Sequence, residues 1–138
     1  MLEHKIEAGM VSDFMKVTGP ADAAKGPGAE ELYYLVSTSA ILDLTIEGSG
    51  KMLDKLLPPE YTTVGTFIEI YHEHPTLVGE PISIRIKIDR LDGAKIFLGI
   101  EGFDNVGRVF KGNYERHIVN KKRLMEYAYN RSPGNTQP

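Results

Sequence analysis

The segment ISIRIKIDRL, residues 82 to 91, sets isoleucine at every second position from 82 to 88, with Ser83, Arg85, Lys87 and Asp89 between. Successive strand side chains point to opposite faces, so this segment buries one face and wets the other, a pattern no helix can use. The same period runs through VGTFIEIYH (64–72), AKIFLGIEGF (94–103) and RVFKGNYERHIV (108–119). Asp92-Gly93 and DNVG (104–107) supply hairpin turns between them. Four consecutive strands joined this way form an antiparallel meander with one apolar face that something must cover.

The cover precedes the meander. From Ser39 to Leu57, SAILDLTIEGSGKMLDKLL places apolar residues at 41, 42, 44, 46, 52, 53, 56 and 57, a helical spacing that Pro58-Pro59 terminates. Its interior GSG (48–50) is costly, at about 1 kcal/mol per glycine relative to alanine, and close approach of another backbone would compensate. Residues 4–18 hold a possible fifth strand, and GPADAAKGPGAEE (19–31) is a loop. NKKRLMEYAYN (120–130) reads as a short terminal helix and RSPGNTQP (131–138) as a frayed, disordered tail. The chain has 138 residues, 41% of them hydrophobic, enough for one core and therefore one domain over 1–130. The class is α+β: one antiparallel sheet of five strands wrapped over one long helix.

Charge narrows the function. The net charge is -3, and lysine and arginine are scattered among acids, so no basic stripe invites nucleic acid. The absence of cysteine excludes disulfides, thiolate metal sites and a cysteine nucleophile. MLEHKIEAG lacks the basic and apolar regions of a signal peptide, and no stretch approaches the roughly 20 apolar residues of a membrane span, so a cytoplasmic protein with no membrane partner is expected.

Strand phase selects candidate site residues. In 64–72 the alternation puts Val64, Thr66, Ile68, Ile70 and His72 on one face, so His72 falls in the apolar phase. In the last strand Phe110, Gly112, Tyr114, Arg116 and Ile118 share a face, where the charge of Arg116 needs a partner or a ligand. On the helix, Ser39, Asp43 and Glu47 follow an i, i+4, i+8 line. Each also has an ordinary reading: a structural histidine, an arginine in an ion pair, and a solvated face whose Ser39 is the N-cap.

Taken together, order and spacing resemble the fluoroacetyl-CoA thioesterase family of the hot-dog fold. That family carries a hydroxyl residue at the start of its central helix, a glutamate eight positions later, a VGT strand whose glycine precedes a histidine by seven, and a late G-x-H-E-R strand. Ser39, Glu47, Val64-Gly65-Thr66 with His72, and GNYER ending in Arg116 stand in that order, over roughly residues 32–124. Here Ser39 replaces the family's usual threonine and Tyr114 its last-strand histidine. The resemblance implies a hot-dog domain that hydrolyses an acyl-CoA thioester through Ser39, Glu47 and His72, with water, Ser39 or Glu47 as nucleophile. Gly65, Tyr114 and Arg116 would then bind substrate, with the Gly65 N–H reaching the carbonyl oxygen. Coenzyme A would be part of the substrate, with no other cofactor. Assembly would be as a homodimer, with a tetramer the further option. Two alternatives stay open: a non-catalytic acyl-CoA-binding protein on the same scaffold, and a cupin-like metal protein using the H-x-H of His72-Glu73-His74, for which Glu80 stands slightly too far on.

Overall fold

The computed structural model describes residues 2–134. Along the chain run β1 (Val11–Val17), a 3-10 turn (Pro20–Asp22), α1 (Thr38–Asp54), β2 (Tyr61–His72), β3 (Pro81–Asp92), β4 (Lys95–Phe103), β5 (Arg108–Asn120) and α2 (Lys121–Arg131). All five strands form one antiparallel sheet in the order β1-β3-β4-β5-β2, so β1 and β2 are its opposite edges.

The isoleucine ladder is the centre of the core. Ile82, Ile84, Ile86 and Ile88 are buried, and Ile96, Leu98 and Ile100 of β4 continue the same face beside them. Each such side chain contributes roughly 1.5–3 kcal/mol by leaving water. Ile41, Leu44, Met52 and Leu53 of α1 close the core from above. Both hairpin expectations hold: Gly93 takes φ +59° at the β3–β4 turn, and the Asp104 carboxylate accepts from the N–H groups of Val106 (2.8 Å) and Gly107 (3.2 Å) at the β4–β5 turn.

Three expectations change. First, α1 begins earlier: Ser37 is the N-cap, its hydroxyl accepting from Ala40 N–H at 3.0 Å, so Ser39 is inside the first turn. Second, β2 carries a bulge between Gly65 and Phe67. The extra residue, Thr66, reverses the alternation, so Thr63 and Gly65 before it share the inner face with Ile68, Ile70 and His72 after it, while Val64 points outward. Third, the first strand is Val11–Val17, and α2 extends through Arg131 into the stretch expected as tail, of which residues 135–138 lie outside the described residues.

Candidate active site

The close approach expected at GSG is real at Gly48, and its cause is a ring. A Cβ there would fall inside the phenyl of Phe14 on β1, whereas a Cβ on Gly50 would meet only Arg116 Nη2, at 3.9 Å. The two glycines therefore mark two flanks of α1. Gly48 faces the β1 edge, and Gly50 faces β5, next to the β2 edge.

At the N-terminal end of α1, Thr38 Oγ1 lies 2.9 Å from His72 Nδ1. The other ring nitrogen, Nε2, is buried and has no protein hydrogen-bond partner, the sole such side-chain atom among the described residues. Burial lowers the His72 pKa below its ordinary value, so the imidazole is held neutral. The end of β2 and the first turn of α1 thus form a hydroxyl–imidazole pair with a buried, unpartnered nitrogen.

The hydroxyl in that pair is Thr38. Ser39 Oγ instead sits 3.1 Å from Ser37 Oγ and has no bond to His72. Glu47 is exposed and pairs with Lys51 at 3.0 Å, which holds its carboxyl below the ordinary range. It lines a groove against Phe14, Met15 and Lys16 of β1, on the flank away from β2. The structure therefore does not bring Ser39 or Glu47 to His72. The signal that could have found Thr38 is capping: in Ser37-Thr38-Ser39, the hydroxyl bonding the N–H three residues on is Ser37, which shifts the helix register back by one. Eight residues after Thr38 stands Ile46, partly exposed and about 100° around the helix from Glu47, on the β2 flank.

The second group lies at the other end of the same sheet face. Arg116 is buried, 6% exposed, and donates to Thr63 Oγ1 (2.7 Å), the Thr63 carbonyl (2.6 Å) and Tyr114 Oη (2.6 Å). It has no carboxylate partner among the described residues, so the ion-pair reading fails and a buried cation is left without a counter-charge. Gly65 is opposite Arg116 in the ladder, and the Tyr114 ring and hydroxyl occupy the place a Gly65 side chain would need. Thr63, which sequence reasoning missed, is buried and anchors the guanidinium.

Within one chain the two groups are far apart. Seven residues of strand separate Gly65 from His72, roughly 23 Å at the usual rise, and twelve helical residues separate Thr38 from Gly50, about 18 Å. His74 stands at the rim, lining a shallow surface with His72 and Pro75. Among the described residues no group of three histidine, aspartate or glutamate side chains is arranged to hold a metal. Glu73, the middle of H-x-H, is tied to Arg108 at 2.9 Å. A single five-stranded sheet over a helix is also not the two-sheet roll of a cupin, so that alternative falls with the fold. Among the described residues no helix is long and apolar enough to cross a membrane.

Comparison with solved structures agrees on the fold. A hot-dog-like protein from Thermanaerovibrio acidaminovorans superposes with a TM-score of 0.86 at 24% identity, covering 92% of this chain and 93% of that one. The fluoroacetyl-CoA thioesterase FlK superposes with a TM-score of 0.86 at 16% identity, covering 94% and 99%. A thioesterase superfamily member from Thermus thermophilus gives 0.82 at 17%, covering 92% and 93%. No curated protein sequence matches the chain. The sequence model of the fluoroacetyl-CoA-specific thioesterases matches residues 19–122, the whole span from the turn before α1 to the start of α2, and the chain belongs to that family.

Proposed function

We propose that the protein is an acyl-CoA thioesterase whose base is His72, and that its site is completed by a second copy of the chain. The observation that carries this reading is the Thr38–His72 pair with its unpartnered, buried Nε2. With Nδ1–H donating to the Thr38 hydroxyl, Nε2 presents its lone pair to a water molecule. Water attacks the thioester carbonyl carbon as Nε2 takes its proton. The C–S bond then breaks, and the proton passes to the departing thiolate, giving a carboxylic acid and free coenzyme A. No cofactor is required beyond the coenzyme A of the substrate. The lowered pKa of His72 keeps it competent as a base at neutral pH.

The separation of the two groups supports the assembly. β2 is an edge strand of twelve residues with main-chain groups free on one side. If two copies pair antiparallel through β2 about a two-fold axis between Ile68 and Glu69, His72 of one strand lies beside Gly65 of the other. That brings the Thr38–His72 pair of one copy to the Gly65 N–H and Arg116 of its partner. Leu42 and Ile46, on the β2 flank of α1, would wall the acyl pocket with apolar surface, so the reading favours an apolar short or medium acyl group. Fluoroacetyl specificity is not carried over from the family.

The test is thiol release from short-chain, medium-chain and aromatic acyl-CoAs. His72→Ala is expected to lower kcat by about 100-fold or more in a folded protein. Light scattering should show a dimer at micromolar concentration. Binding of acyl-CoA without turnover in the wild type would replace this reading with a non-catalytic acyl-CoA-binding protein. A monomer would remove the shared site.

A further inference from the structure

On the β1 flank of α1 lies a groove of about 500 Å³, away from Thr38 and His72. This is a size that holds small ligands elsewhere, roughly 300–1,000 Å³. Its floor is apolar: Leu44 and Met52 are buried, and Gly48, lacking a side chain, leaves the Phe14 ring as part of the surface. Its rim is cationic, with Lys16 from β1 and Lys51 and Lys55 from α1 and its C-cap. We propose that this groove binds a medium-chain aliphatic carboxylate, its tail on Phe14, Leu44 and Met52 and its carboxylate between Lys51 and Lys55.

Charge complementarity selects the head group. Lys51 and Lys55 face a single lining acid, Glu47, while Lys16 is held by Asp22 at 2.9 Å, in a chain whose net charge is -3. Lys51 and, more weakly, Lys16 both act on the Glu47 carboxylate, so cations from facing elements already converge on one carboxylate here. Their hold on it is loose: the Lys51–Glu47 pair is solvent-exposed, with side chains 77% and 63% accessible, so Lys51 can exchange partners at little cost. Lys55 has no ion pair among the described residues and is free to take a second carboxylate. The floor selects the tail, since an inorganic anion would leave Phe14 and Met52 wet. The groove stands on its own geometry and does not depend on whether the chain hydrolyses thioesters.

The experiment titrates the full-length protein with octanoate, following backbone amide shifts and measuring Kd by calorimetry, with octan-1-ol and acetate as controls. The expected result is saturable octanoate binding with shifts at residues 12–16 and 44–55, and much weaker binding of both controls. Replacing the two exposed lysines together (Lys51→Gln with Lys55→Gln) should raise Kd by about tenfold, the scale of one charge-assisted contact. Equal affinity for octan-1-ol, wild-type affinity in the folded double variant, shifts confined to the Thr38–His72 end, or no binding would each overturn the proposal.

Discussion

On its β2 side, α1 presents Thr38, Leu42, Ile46 and Gly50 toward an open sheet edge. On its β1 side it presents Leu44, Gly48 and Lys51 to a strand already packed against it. On the β1 flank the contact is local: the Phe14 ring occupies the space that the missing side chain of Gly48 leaves, beside the groove rimmed by Lys51 and Lys55. The β2 flank packs on β2, an edge strand with no further strand beyond it, and it is where the unpartnered imidazole nitrogen and the uncompensated guanidinium both lie. Polar groups left short of partners on one flank, and an apolar-floored groove beside a packed ring on the other, distinguish the two sides of a single helix.

The two glycines of GSG give the largest test of that contrast. Gly48→Ala forces a methyl into the Phe14 ring and is expected to destabilise the protein by about 1–3 kcal/mol, the usual cost of overpacking. Gly50→Ala adds a methyl in ordinary contact with Arg116 Nη2 on a helix and should stabilise by roughly 0.4–1 kcal/mol. Chemical denaturation of both variants checks the pair. If the two effects have the same sign, the flanks do not differ as described.

The ease of reading the two flanks from sequence also differed. The sheet was legible because Ile82 to Ile88 can alternate in only one way against a core, and the turns at Gly93 and Asp104 fix where the chain reverses. The helix was legible as an element but not in its starting register. Three hydroxyl residues in a row, Ser37-Thr38-Ser39, offer equivalent caps in sequence, and Glu47 stands eight residues after Ser39, so the wrong register was self-consistent. The bulge at Thr66 was hidden for a similar reason: Val64-Gly65-Thr66 carries no strong polar or apolar contrast to mark the slip. Arg116 was legible as an inward charge, but that it pairs with Thr63 and Tyr114 and with no acid depends on three-dimensional neighbours.

A smaller effect comes from pH. The folded pKa of His72 is below its unfolded value because burial disfavours the imidazolium. The unfolded chain therefore binds this proton first as pH falls from about 6.5, and the protein loses stability until the folded value is passed. Above that window the contribution is fully present. Denaturation midpoints at a series of pH values should show a shallower acid-side decline in His72→Gln than in the wild type. An unchanged slope would mean that the imidazole is as well solvated in the folded chain as in the unfolded one, and the β2 flank would lose its buried base.

The smallest expected effect is the sharpest on mechanism. Glu47 is about 13 Å along the helix from Thr38, and it is turned to the β1 flank and occupied by Lys51. The neighbouring residue on the β2 flank is Ile46, about 100° around the helix from Glu47. Glu47→Gln is therefore expected to leave kcat for acyl-CoA hydrolysis within about twofold of wild type, as surface substitutions away from the chemistry do. Ser39→Ala should do the same, while Thr38→Val loses activity by removing the group that fixes the imidazole tautomer. Steady-state thiol release by the three variants, each checked for folding, decides the register. A large loss in Glu47→Gln with Thr38→Val near wild type would return catalysis to the Ser39–Glu47 line and place the working site on the β1 flank.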